Sequence, residues 1–201
     1  MRNPRIGAAC AAASLCLLAG CAGVRTEVLT SQTQNDLRLE HSYVIARSPL
    51  QEASSDQARY EALVRRELGR YGLVDAAAGQ AHYVLSIAYD TRPASVAIDA
   101  GDCAEASCRN TDSARFLWFN RSWKHTLTLR FLDPASGDEV YKVSATSRDG
   151  DADAQRAAPY LVKSALAQLP FAQHRHWRIE LRPAAVPNDT PSLVSVKPVQ
   201  Q

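Results

Sequence analysis

The sequence predicts an α+β domain of two layers, a mostly antiparallel sheet with two helices packed on one face. Three observations point there. Apolar residues recur at every second position in several separate stretches, the period of half-buried strands. Two other stretches carry them at helical spacing. The order along the chain is strand, helix, strand, strand, strand, helix, strand, with one strong hairpin. The 201 residues, 46% hydrophobic and 22% charged, suffice for one such domain and exclude a collagenous, wholly disordered or many-span membrane chain.

The first alternating stretch is Leu37, Leu39, His41, Tyr43 and Ile45, closed by Pro49. Ser54, Ser55 and Asp56 then offer a helix N-cap, and Tyr60, Leu63, Val64, Leu68 and Tyr71 follow at helical spacing. Arg59, Arg65, Arg66 and Arg70 fall mostly outward, and Gly69 and Gly72 mark the end. Tyr83, Leu85, Ile87 and Tyr89 alternate again, predicting a strand over 82–92, with Val96 to Ile98 a weak continuation. A polar loop over 99–115 contains Cys103 and Cys108. Next comes the densest aromatic stretch, with Phe116, Trp118, Phe119 and Trp123. It reads first as a strand packed on both faces. Its functional alternative is an exposed apolar patch that touches a partner or a membrane.

Leu127, Leu129 and Phe131 predict a strand, Asp133-Pro134-Ala135-Ser136-Gly137-Asp138 a tight turn, and Tyr141, Val143 and Ala145 the returning strand. Ala158, Leu161, Val162, Ala165, Leu166 and Leu169 predict the second helix, ended by Pro170. Pro159 suits a first turn, where its missing N–H costs nothing, while Asp151 or Asp153 would cap an earlier start. Trp177, Ile179 and Leu181 predict a last short strand. Residues 183–201 hold four Pro and no Gly, and read as a disordered tail.

The N-terminus reads as an address. Arg2 and Arg5 precede an uncharged run from Ile6 to Leu18, too short for a bilayer-spanning helix of roughly 20 residues. It ends in Leu18-Ala19-Gly20-Cys21, which resembles the bacterial lipobox. The alternative is an ordinary secretory signal with a chance cysteine. The resemblance implies cleavage before Cys21, acylation of its thiol (palmitate being one such chain) and of the new N-terminus, and stable membrane anchoring. Ala22 stands where an Asp would favour inner-membrane retention, so the expected location is the outer membrane, facing the periplasm. The expected organisation is a signal over 1–20, the lipidated Cys21 and a tether over 21–35, one α+β domain over 36–182 and the tail over 183–201. Val24 to Leu29 has the composition to start a strand within that tether.

Processing removes Arg2 and Arg5 from the 23 basic residues, leaving 21 against 21 acidic ones. A formally neutral chain argues against a nucleic-acid partner or a polybasic membrane patch. Cys10 and Cys16 leave with the signal and Cys21 carries lipid, so Cys103 and Cys108 remain as a pair in an oxidising compartment. A disulfide is the expected outcome. Zinc is the alternative, but two Cys without nearby His or further Cys make a poor site.

The search for chemistry assigns no catalytic residue, metal or cofactor. Asp149-Gly150-Asp151-Ala152-Asp153 resembles the opening of a calcium loop, but Ala154 stands at the sixth position and Tyr160 at the twelfth, where Gly and Glu are required. A solvated turn before the helix is the better reading. His174 and His176 would share a strand face, but a metal would need a third ligand that the sequence does not supply. There is no G-x-S-x-G, H-E-x-x-H, Walker or G-x-G-x-x-G motif.

The layout resembles the bacterial lipoproteins of Domain of Unknown Function 4136. The matching features are the lipobox, Tyr43-Val44-Ile45-Ala46, the helix running into Leu68-Gly69-Arg70-Tyr71-Gly72-Leu73, the stretch from Ala81 to Tyr89, and a closing helix ending Leu169-Pro170-Phe171. The resemblance covers roughly residues 24–172 and lies in layout and periodicity more than in rare residues. Ala46-Arg47-Ser48-Pro49 departs from the aromatic tail the family often has there, and the Cys103–Cys108 loop and aromatic run look like local additions. The family implies no reaction and no catalytic residue. The expected role is a non-enzymatic, membrane-anchored periplasmic domain that binds an envelope protein partner in envelope maintenance or assembly. The alternative is a lipid or small-ligand carrier, an auxiliary of an envelope transporter.

Overall fold

The structure is a computed structural model and describes residues 23–32, 37–38, 42–94, 122–171, 174–184 and 190–200. The strands are β1 (Val24–Gln32), β2 (Ser42–Ala46), β3 (Val74–Asp75), β4 (Tyr83–Pro93), β5 (Trp123–Leu132), β6 (Glu139–Asp149), β7 (His176–Arg182) and β8 (Ser192–Pro198). The helices are α1 (Pro49–Glu52), α2 (Ser55–Arg70) and α3 (Ala154–Ala165). All the strands join one sheet in the order β3-β2-β4-β5-β6-β1-β7-β8. The sheet is mixed. β2 pairs in parallel with both β3 and β4, and the other neighbours are antiparallel. The parallel pairing follows from the α2 crossover, because a helix between two strands returns the chain to its starting end. Among the described residues no helix is long and apolar enough to cross a membrane.

The hairpin forms as its sequence dictates. The Asp133 carboxylate accepts from the N–H groups of Ala135 (2.7 Å) and Ser136 (3.2 Å), and Gly137 takes the positive φ of 78° that closes the turn. Alternation in β5 and β6 sends Leu127, Leu129, Phe131, Tyr141, Val143 and Ala145 inward, where all are completely buried. α2 ends where Gly72 adopts φ 88°, and the Leu73 N–H donates to the Leu68 carbonyl, so the last turn is closed by a left-handed glycine. Tyr60, Val64 and Leu68, four residues apart, form its buried stripe. α3 buries Ala157, Ala158, Leu161, Val162 and Ala165, and its alanines let it lie close across β5, β6, β1 and β7.

Two tyrosines fasten the helices. Tyr60 stacks on Tyr89 of β4 with centroids 4.2 Å apart, and its hydroxyl donates to the Ala154 carbonyl at 3.3 Å. Tyr71 donates to the Leu166 carbonyl. Burial pushes the Tyr60 and Tyr141 phenols up to about 12, so both stay protonated donors throughout the physiological range.

Several expectations are corrected. The segment read as a tether is largely β1, an interior strand between β6 and β7. Thr26 and Val28 supply its buried face, and the sheet closes around it. The segment read as a disordered tail contains β8, paired with β7 from Trp177–Pro198 to Arg182–Ser192. Ser-Leu-Val-Ser-Val supplies β-branched residues, and an edge strand needs only one paired side. Leu37 is buried but lies outside a strand, and the described strand there is β2. Pro159 stands at the sixth residue of α3 instead of in its first turn. The helix starts early because the Asp153 carboxylate accepts from the Gln155 N–H at 2.9 Å, and the proline then removes a single interior hydrogen bond.

Candidate functional site

One end of the sheet gathers the features most suited to binding. The registers set Pro93 opposite Trp123, Trp123 opposite Asp149, Thr26 opposite Ser147 and Val24 opposite Leu181. That end therefore carries the start of β1, the ends of β6 and β7, and the tip from which residues 95–121 leave the β4–β5 pair. A groove of about 1060 Å³ crosses it, lined by Gly23, Val24, Arg25, Arg148, Asp149, Glu180, Leu181, Arg182 and Val194. A smaller hollow of about 220 Å³ adjoins it on the uncovered sheet face and shares Arg25 and Arg148.

Alternation explains the groove's polarity. Arg25, Arg148 and Arg182 each follow or precede a buried strand residue and so project from the helix-free face. Arg25 reaches Glu180 at 3.4 Å, and Glu180 also accepts from Ser195 Oγ at 3.3 Å. Asp149 Oδ1 is engaged by the Asp151 N–H at 2.9 Å. Arg148 and Arg182 have no ion pair among the described residues. Of the apolar lining residues, Leu181 is completely buried and Val24 partly so, both in phase with the helix-covered face, and Val194, 52% exposed, supplies the apolar surface.

Much of the rest of the uncovered face is polar, although Leu29 is 55% exposed there. Thr128 and Ser144 hydroxyls lie 3.0 Å apart, Arg130 meets Glu139 at 2.8 Å, and Glu27 lies 3.2 Å from His176 and 3.6 Å from Arg178.

Behind the groove sits a buried histidine. His125, 1% exposed, has Nδ1 2.9 Å from Thr91 Oγ1 and Nε2 2.9 Å from the Asp151 carbonyl, with Asp149 Oδ1 at 3.3 Å. A carbonyl only accepts, so Nε2 donates to it, and in the neutral ring Nδ1 accepts from the threonine hydroxyl. The order hydroxyl, imidazole, acceptor is that of a catalytic relay, but here it ties β4, β5 and the β6–α3 turn together. That turn is a cascade: Asp149 accepts from the Asp151 N–H, Asp151 from the Asp153 N–H, and Asp153 from the Gln155 N–H. The Asp153 N–H and then Arg156 hold the Asp151 carboxyl below its usual range. The calcium-like run is thus a capped turn whose carboxylates are taken by backbone and Arg156, as the solvated-turn reading expects. Among the described residues no group of three metal ligands forms. His174 and His176 go to different partners, the first edge-on to Trp177 and the second to Glu27.

A second charged region lies at the opposite edge of the sheet. Glu61 of α2, 1% exposed, accepts from Arg47 Nε and Nη2 at 2.5 Å each and from Gln57 at 3.1 Å, and lies 3.1 Å from Arg65. Arg65 continues to Asp75 at 2.6 Å. The hydrogen bonds from Arg47 hold the Glu61 carboxyl down at about 2, against the opposing cost of burial. A hollow of about 300 Å³ lies beside it.

Of the residues singled out in the sequence, Trp123 is described: it is half-buried and opens β5 at the groove end. Cys21, Cys103, Cys108, Phe116, Trp118 and Phe119 lie outside the described residues. The arginine groove escapes sequence reading because its cations are far apart along the chain, and only strand order makes them neighbours. His125 carries a signal that could have been used, since it is in phase with the inward Leu127, Leu129 and Phe131.

Three solved structures are similar to this chain at low identity. A dodecamer of PelC from Paraburkholderia phytofirmans is 17% identical with a TM-score of 0.45, covering 74% of this chain and 99% of that one. A second PelC dodecamer from the same organism is 16% identical with the same TM-score and coverage. A PDZ domain protein from Parabacteroides distasonis is 12% identical with a TM-score of 0.48, covering 80% of this chain and 40% of that one. The chain matches no curated protein. The family model described as Domain of unknown function (DUF4136) matches residues 30–171, and the chain belongs to that family.

Proposed function

We propose that this protein is a lipid-anchored, periplasm-facing domain of the bacterial outer membrane that binds an envelope protein partner and catalyses no reaction. The observation that carries the reading is the position of β1. It starts three residues after the lipobox cysteine, in the interior of the sheet. A domain acylated at Cys21 would therefore be held against its membrane with almost no slack. Its most prominent aromatic segment would leave from the same end, beside Trp123. The Cys103–Cys108 disulfide would brace that segment. Envelope maintenance or assembly is the role such a fixed binding domain would serve.

The non-enzymatic reading is supported by how the polar groups are used. Among the described residues, the His125 imidazole, buried beside a hydroxyl and a carboxylate, is spent on a carbonyl of its own chain. The carrier alternative requires an apolar cavity beneath the aromatics. Against it, the space between sheet and helices is filled by completely buried side chains such as Val28, Val64, Leu129 and Leu161, and the grooves described above open at the surface.

Photo-crosslinking in living cells tests the proposal. A photoreactive residue at Trp118 or Trp123 should yield one discrete adduct with an envelope protein. Self-adducts alone, or none, would refute partner binding through this segment. Labelling with a palmitate analogue should mark the natural chain and not Cys21→Ala.

A further inference from the structure

The groove at the start of β1 has a chemistry that the partner-binding reading does not use. Its lining carries three guanidiniums, from Arg25, Arg148 and Arg182, with Val194 as its exposed apolar residue. The two carboxylates in the lining are already engaged, Glu180 by Arg25 and Ser195, and Asp149 by the Asp151 N–H. Arg148 and Arg182 are exposed and carry no ion pair among the described residues. Two cations without an ion pair outnumber the one remaining carboxylate of the lining, Asp149, and match a phosphate-class anion.

The chain itself says where such a molecule would come from. Val24 is three residues beyond Cys21, and three extended residues span at most about 11 Å. If Cys21 is acylated, the groove is held within that distance of lipid headgroups. We propose that this groove seats the phosphate headgroup of an anionic phospholipid of the anchoring membrane, with Arg148 and Arg182 on the phosphate and Val194 beside the start of the acyl chains. This rests on the anchoring reading above. It gives the domain a fixed orientation: the groove end faces the bilayer and β1 stands out from it. Neutral overall charge does not oppose this, because headgroup attraction acts within about a Debye length and depends on local cations.

Native mass spectrometry of the full processed chain tests both readings in one spectrum. The protein is released from nanodiscs of phosphatidylethanolamine containing phosphatidylglycerol. The expected result is an acylated chain that retains one phosphatidylglycerol and no phosphatidylethanolamine. Combining Arg25→Ala, Arg148→Ala and Arg182→Ala should cut retention by about tenfold or more. The Lys versions of the same three positions should keep it within a few-fold, and Arg66→Ala, on the exposed side of α2, should leave it unchanged. Acylated protein with no retained lipid, or equal retention by the triple Ala variant, would overturn the groove and leave the anchor standing. Displacement of the lipid by millimolar inorganic phosphate would also overturn it, by making the site one for free anions. A chain that exits without acyl mass would overturn the anchor, and the groove's place at a bilayer with it.

Discussion

Two arginine-rich regions of this molecule use the same residue in opposite ways. At the β2–α2 edge, Arg47 and Arg65 converge on Glu61, a carboxylate 1% exposed, and Arg65 goes on to Asp75. At the start of β1, Arg148 and Arg182 line one groove and form no ion pair among the described residues. A cation matched by a buried anion holds elements together, because separating the pair would leave a charge without solvent. A cation left in water beside apolar surface contributes little to folding and remains available to an anion from outside. Arginine content alone says nothing about which it is, and the position of the carboxylates decides.

That contrast predicts effects of graded size. Glu61→Ala should produce the largest, a loss of about 3 kcal/mol by urea unfolding, from the lost ionic hydrogen bonds and the lost packing of a buried side chain. A loss below about 1 kcal/mol would show the edge network to be ornamental. The same carboxyl sets a pH dependence. Its folded value of about 2 lies below the ordinary 4.5, so its contribution is complete above about pH 4.5 and is lost as pH falls toward 2. Unfolding of the natural chain should therefore become easier across that window. Glu61→Gln should flatten this part of the profile, and an unchanged slope would assign the acid sensitivity to other carboxylates.

A neutral buried pair gives a smaller effect. Thr26 Oγ1 and Ser164 Oγ lie 2.6 Å apart in the core, joining β1 to α3. Ser164→Ala should cost about 1–2 kcal/mol by leaving a buried hydroxyl unpaired. Adding Thr26→Val should recover part of that loss, and strict additivity of the two changes would argue against a direct bond. The smallest effect belongs to the groove. Arg148→Ala with Arg182→Ala should change thermal unfolding of the free protein by less than about 0.5 kcal/mol. A larger loss would mean that these arginines serve the fold, and the contrast between the two regions would fail.

Much of the fold could be read from local pattern. The hairpin, both long helices and the strands β4 and β7 follow from periods of two and of roughly four residues, with Asp133, Gly137 and Gly72 as punctuation. The misreadings have a common cause. Val24–Gln32 has only three apolar residues, two of them adjacent, and Ser192–Pro198 follows Pro191, ends on Pro198 and has Leu193 and Val194 adjacent, so neither shows a clear period of two. Each becomes a strand because a neighbour supplies the pairing, β6 and β7 for the first and β7 for the second. The early start of α3 is legible in Asp153, whose capped turn outweighs the one hydrogen bond that Pro159 removes.

By itself, the sequence determined the hairpin, both long helices and the inward or outward phase of the residues in β4 to β7, and it carries the lipobox-like Leu18-Ala19-Gly20-Cys21. These are properties of spacing, and spacing is written along the chain. The tertiary structure alone decided that β1 lies inside the sheet, that Arg25, Arg148 and Arg182 share a groove, and that His125 is committed to its own backbone. Strand order is set by which long-range pairings bury the most apolar surface together. That is a property of the whole chain, and no short window of it contains the answer.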